Sequence, residues 1–261
     1  PLGLTALAAG KLLGIPVRGV YHADVPRYVR DHTDDDAIGQ LASRYVQWFY
    51  GQMQTVHAFS NHYLNWLKDN GIAEHRLKHL PLGVDVDMFA PEERRETKNR
   101  HTANADFTFL YSGKLSRSEN VSLLLEAFCE LRKSISANVR LILIGDGPML
   151  RVLKSRYRGR RDIHFAGLLG SRERAAAMAE ADAFVFPCQS ELFAYSVLEA
   201  QAAGLPVLTL QGGAAAELAA ASGTGVVVPE AQHDAVKNAL AELYTQRAAA
   251  GNAEKARRFA E

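Results

Sequence analysis

Two hydrophobic periods alternate along this chain, and together they predict a succession of short strands and helices. Residues 2–13 (LGLTALAAGKLL) predict a helix, which Gly14-Ile15-Pro16 closes. Val17 to Tyr21 predicts a short buried strand that opens into a loop carrying His22, Asp24 and Pro26. Across 37–54, Leu41, Tyr45, Trp48 and Phe49 recur at helical spacing and predict a long amphipathic helix. Thr55 to Phe59 predicts a second strand. Ser60-Asn61 offers a cap for the next helix, and Asn70-Gly71 a stop. Arg76 to Leu80 predicts a third strand, closed by Pro81-Leu82-Gly83.

The pattern then lapses. Residues 90–106 (APEERRETKNRHTANAD) are polar, charged and without period, which is the composition of a linker. Beyond it the alternation is regular. Strands are predicted near 107–112, 139–144, 162–166, 183–187, 206–210 and 224–228. Helices are predicted near 120–134, 147–157, 171–180, 195–203 and 214–221, with a last one starting near Asp234. Six strands alternating with helices imply a parallel sheet covered on both faces and doubly wound. The fold class is therefore α/β, with a partial N-terminal Rossmann-like domain over 1–89, a linker over 90–106 and a C-terminal Rossmann-like domain over 107–261.

Composition narrows the function. The 261 residues carry a net charge of +1, so no global field recruits nucleic acid. The two cysteines, Cys129 and Cys188, sit in apolar runs, where a reduced, packed thiol is expected, and this fits a cytoplasmic location. No run approaches the roughly 18 apolar residues of a membrane span. Both ends fall inside helical patterns with no cap, so the chain is expected to be truncated at both ends, and no signal peptide is visible.

Ligands of open α/β sheets bind outside the carboxyl ends of the strands. The loops there are glycine-rich: Ser112-Gly113-Lys114, Gly145-Asp146-Gly147, Gly167-Leu168-Leu169-Gly170 and Gln211-Gly212-Gly213. Gly145-x-Gly147 lacks the third glycine of a dinucleotide fingerprint and reads on its own as a tight turn. Asp34-Asp35-Asp36 resembles a metal-binding cluster but precedes a helix, where acids are common. Glu191 and Glu199 are sharper. Glu199 lies within a small, apolar helix (SVLEAQAAG), where a carboxylate needs a partner unless it faces solvent. A ribose, with two hydroxyls, is one such partner. The run Arg151, Lys154, Arg156, Arg158, Arg160, Arg161 reads first as a solvated helix end, with peripheral contact to anionic membrane as the alternative.

These residues carry a resemblance. Glu191-Leu-Phe-Ala-Tyr-Ser-Val-Leu-Glu199 followed by Ala-Gln-Ala-Ala-Gly-Leu-Pro-Val resembles the Glu-x7-Glu hallmark of the family-4 retaining glycosyltransferases of GT-B architecture. Pro81-Leu-Gly-Val-Asp85, Tyr111-Ser-Gly-Lys-Leu115, Ile144-Gly-Asp-Gly-Pro148, Phe165-Ala-Gly167 and Gln211-Gly-Gly213 with Glu217 follow in family order, nearly the length of the chain. Tyr21-His-Ala-Asp-Val-Pro26 is similar to members that glycosylate lipid or inositol acceptors.

The resemblance implies transfer of a hexosyl group from a GDP- or UDP-linked donor to a lipid or glycan acceptor, with configuration retained. It implies that Glu199 holds the donor ribose, that Glu191 contacts the transferred sugar, and that the amides of Phe193, Ala194 and Tyr195 face the diphosphate. Gly113 and Lys114 would flank and neutralise that diphosphate, Gly167, Leu168 and Leu169 would flank the base, and His22 would face the reacting sugar or acceptor. The nucleotide sugar is a substrate, and neither cofactor nor metal is expected. Two positions depart from the pattern. Glu119 stands where the family has a lysine, and Ala194 where it has a glycine. They keep open a catalytically weakened nucleotide-sugar-binding relative. An unrelated doubly wound nucleotide-binding enzyme is the remaining alternative.

Overall fold

The computed structural model describes residues 2–33, 35–90, 105–189, 193–246 and 252–261. Two compact units are present, one of residues 1–82 with 190–193 and one of residues 83–189 with 194–261.

In the first unit α1 (Leu2–Leu13) precedes β1 (Arg18–Val20), α2 (Val25–Thr33), α3 (Asp36–Gly51), β2 (Thr55–Ala58), α4 (Asn61–Asp69) and β3 (Leu77–His79). The strands form a parallel sheet in the order β1-β2-β3, with Gly19 opposite Val56 and His57 opposite Lys78. Ser60 caps α4 through the Tyr63 amide, as its position before the apolar run predicts. α2 is a departure, because the stretch after His22 reads as a loop and is helical. Asp24 accepts from the Arg27 amide at 3.2 Å and so caps the first turn, and Pro26 sits there, where its missing N–H costs nothing. Buried Tyr21 packs against the rings of Tyr50, Tyr63 and Trp66 at 5.5–5.8 Å and anchors the chain just before the His22 turn.

The second unit holds β4 (Phe107–Ser112), α5 (Val121–Ser134), β5 (Val139–Ile144), α6 (Leu150–Arg156), β6 (Ile163–Gly167), α7 (Ser171–Glu180), β7 (Ala183–Phe186), α8 (Tyr195–Ala202), β8 (Val207–Leu210), α9 (Gly213–Ser222), β9 (Val226–Val228), α10 (His233–Thr245) and α11 (Asn252–Ala260). Six parallel strands lie in the order β6-β5-β4-β7-β8-β9. Every residue of β4, β7 and β8 is buried, as central parallel strands covered on both faces require. Their inward rings, among them Phe107, Phe109, Phe184 and Phe186, form the core with Leu124, Phe128, Val197 and Leu240 from the helices.

The division between units falls at Leu82/Gly83, earlier than the polar stretch at 90–106. Phe89 is buried in the second core, with Val84, Val86 and Met88 packed against it. Apolar burial, not the polar composition that follows, decides where the segment from Val84 to Phe89 belongs. Residues 91–104 lie outside the described ones.

Candidate donor site at the strand crossover

Strand order places the site. From β4 the chain winds outward through β5 to β6, then returns to lay β7 against the other side of β4 and winds through β8 to β9. Phe109 pairs with Ala183 and Leu110 with Phe184, so β4 and β7 are the two strands between which the winding reverses. A crevice at that reversal is where doubly wound sheets hold ligands, outside the strands' carboxyl ends. The residues that emerge there are 113–120 after β4 and, among the described residues, 187–189 after β7. Asn120, left-handed at φ 53°, donates its side-chain amide to the Pro187 carbonyl at 2.9 Å and joins them. Left-handed backbone is tolerable for asparagine.

The loop after β4 is held from several sides. Tyr111 Oη donates to the Lys114 carbonyl at 2.8 Å, the Gly113 amide to Ile144 at 3.0 Å, and the Leu115 amide to Asp146 at 2.9 Å. A side chain at Gly113 would lie 2.8 Å from Tyr111 Oη, so the turn requires glycine. Lys114 itself is exposed, and its ammonium has no hydrogen bond or ion pair among the described residues. The loops after β5 and β6 join the same edge, with the Gly145 amide donating to the Gly167 carbonyl at 2.8 Å. Gly167 has φ +77° and open space around its α-carbon. Leu168 beyond it is 77% exposed, while Leu169 packs on the core.

On the β7 side, Ala194 caps α8 in the left-handed conformation, φ 45° and ψ 35°, although it is fully buried. Its carbonyl takes the amides of Val197 and Leu198, and the amides of Tyr195 and Ser196 lie in the helix's first turn, where peptide dipoles favour an anion. Exposed Tyr195 starts the helix, one turn before Glu199. Phe193 clusters with the first unit, where its ring lies 4.7 Å from that of Phe59. Glu191 lies outside the described residues.

Glu199 is neither solvent-facing nor unpartnered. Arg174, in the first turn of α7, donates Nε to one carboxylate oxygen at 2.9 Å and Nη2 to the other at 2.7 Å. The two side chains are 24% and 13% exposed. Sequence reasoning asked for a partner and missed this one. A contact between side chains 25 residues apart on two helices leaves no periodic trace, and Arg174 follows Arg172 and Glu173 in a charged first turn that does not single it out.

In the first unit His22 is exposed, and its Nδ1 lies 3.2 Å from the Val20 carbonyl, the local backbone bond open to any loop histidine. A donor at Nδ1 makes Nε2 the acceptor of the neutral ring. Nearby Asp24 is half-buried, and burial raises its pKa above the usual carboxylate value against the opposing pull of Arg27 and Arg30. Asp35 caps α3 by accepting the Ala37 and Ile38 amides, which accounts for one acid of the 34–36 cluster; Asp34 lies outside the described residues. Among the described residues no group of three His, Cys, Asp or Glu side chains could hold a metal ion. In the basic run, Arg156 pairs with Glu126 at 3.0 Å and Arg160 with Asp162 at 2.8 Å, so part of its charge is already neutralised. No described helix is long and apolar enough to cross a membrane.

Comparison with known proteins gives the chain a family. The family described as "Glycosyl transferases group 1" matches residues 93–261, and "Glycosyltransferase Family 4" matches 1–88. A GDP-mannose-dependent alpha-mannosyltransferase of Corynebacterium glutamicum is 28% identical over 222 residues, 83% of this chain and 50% of that protein. A GDP-mannose-dependent alpha-(1-6)-phosphatidylinositol monomannoside mannosyltransferase of Mycobacterium tuberculosis is 32% identical over 183 residues, 66% of this chain and 47% of that protein. Anabaena HepE, solved in complex with UDP and glucose, superposes with a TM-score of 0.79 at 18% identity over 99% of this chain and 70% of that one, and shares the GT-B fold class. The chain spans about half the length of the curated relatives it matches. By the family matched over residues 93–261, it belongs to the group 1 glycosyltransferases.

Proposed function

We propose that this chain belongs to a retaining glycosyltransferase that moves a hexosyl group from a GDP- or UDP-linked donor to a lipid or glycan acceptor. One observation carries the reading: the winding of the second sheet reverses between β4 and β7, where the interlocked turns of Gly113 and Gly145 carry Lys114, which has no partner among the described residues, and α8 follows β7 in the chain. A nucleoside diphosphate needs such a place. Lys114 supplies charge to the departing phosphate, Gly113 lets backbone approach it, and the Ala194–Tyr195 end of α8 offers amides. Glu199 holds the ribose, Gly167, Leu168 and Leu169 flank the base, and Phe193 and Glu191 complete the sugar-diphosphate side. His22 serves the reacting sugar or acceptor.

Retention then follows front-face attack, with the leaving phosphate assisting the acceptor's proton. The protein's contribution is position and charge stabilisation. The relatives' names motivate a lipid acceptor and, with it, peripheral contact with an anionic membrane. A non-catalytic, donor-binding relative is the second reading, favoured by Glu119 in the lysine position, partly exposed beside Asn120.

The test is product formation by the full-length protein carrying this chain. GDP- and UDP-linked hexoses are offered with vesicles containing phosphatidylinositol or diacylglycerol, in the presence and absence of excess EDTA. One donor should give a glycosylated lipid, and EDTA should leave the rate unchanged. Tight donor binding without product across the panel favours the second reading, and no binding of any donor contradicts both.

A further inference from the structure

We infer that Arg174 is a positioning residue for the donor ribose, acting through Glu199. The inference rests on the ribose role proposed for Glu199 and deepens it. An ionised carboxylate has two oxygens and about four lone-pair acceptor sites. Arg174 fills one on each oxygen through two parallel N–H bonds of 2.9 and 2.7 Å. One site per oxygen is left, on opposite outer edges of the carboxylate, and each can accept from one ribose hydroxyl. The fork therefore fixes the carboxylate plane and leaves an outer edge open to a ribose hydroxyl.

The guanidinium is itself held. It stands 6.0 Å from the centre of the Phe89 ring, over its face, and the Arg174 amide donates to the Gly170 carbonyl at 2.9 Å. Glu173 accepts from the Gly170 amide at 2.9 Å, so the turn from which Arg174 projects is capped. A ring below, a capped turn behind and a two-point fork in front leave Glu199 a single orientation. The loop Gly167-Leu168-Leu169, assigned to the base, leads directly into this turn. Lysine keeps the charge but has neither the fork nor the flat face for the ring.

Calorimetric titration of the 261-residue chain with GDP and UDP, each beside its 2′-deoxy counterpart, tests this, with thermal melts as the folding control. For whichever nucleotide binds, wild type should prefer the ribonucleotide. Arg174→Met should weaken ribonucleotide binding about tenfold and shrink the ribo-to-deoxy preference toward one, and Arg174→Lys should recover part of both. A purely structural arginine would lower the melting temperature and leave the preference intact in the folded fraction, which overturns the inference. Tighter binding in Arg174→Met overturns it too, because the arginine would then compete with the ribose. Glu199→Gln separates the two levels. If it weakens binding while Arg174→Met does not, only the positioning role falls. If Glu199→Gln changes nothing, the ribose role falls and the inference with it.

Discussion

At position 194 a methyl group stands on left-handed backbone, buried among the first residues of α8. The conformation costs an L-residue about 1–2 kcal/mol. Glycine would remove that cost but lose about 0.5–1 kcal/mol of chain entropy and about 0.8 kcal/mol of methyl burial. The terms nearly cancel. Ala194→Gly should therefore leave stability within about 0.5 kcal/mol of wild type, where a buried alanine in ordinary helical backbone would lose more than 1 kcal/mol. Chemical denaturation measures this, and the ordinary loss would contradict the strain. Alanine in place of the family's glycine was legible in the sequence, whereas the dihedral it must adopt was not. The Arg174–Glu199 pair was equally illegible, because side chains that meet between helices follow packing rather than spacing.

At the scale of elements, the loops after β4, β5 and β6 hold one another, and their glycines are not equivalent. A Cβ on Gly145 would lie 1.9 Å from the Gly113 carbonyl oxygen at φ +134°, whereas Gly167 at φ +77° has nothing within 4 Å. Gly145→Ala combines steric overlap with strain and should cost about 3 kcal/mol or more, Gly167→Ala only the 1–2 kcal/mol of left-handed backbone. Denaturant midpoints should rank the two in that order, and equal losses would contradict the interlocked loops. Most elements could be read from pattern: the six strand runs of the second unit are short, rich in β-branched and aromatic residues, and each has a glycine or proline at one end. α2 escaped because Tyr21-His-Ala-Asp-Val-Pro26 looks like loop composition, and the signal lay in Asp24 as a cap with Pro26 in the first turn. The edge of the first core escaped as well, since Phe89 follows a proline-glycine turn and gives no period of its own.

Over the whole molecule, two sheets and two cores divide the chain, and the two family matches fall on either side of nearly the same division. Sequence carried the family because its signature residues recur in fixed order along the strand-loop edges. It could not carry strand order, and strand order brings scattered glycines to one sheet edge. The claim that everything else depends on is that a nucleoside diphosphate sits at the β4/β7 reversal. Titration of the isotopically labelled chain with GDP and with UDP, followed through its backbone amide resonances, addresses that claim most directly. The amides of Gly113, Lys114, Gly167, Ala194 and Tyr195 should shift together and saturate at one concentration. Saturable shifts confined to other surfaces, such as the α5–α6 face around Cys129, with these amides unmoved, would contradict it.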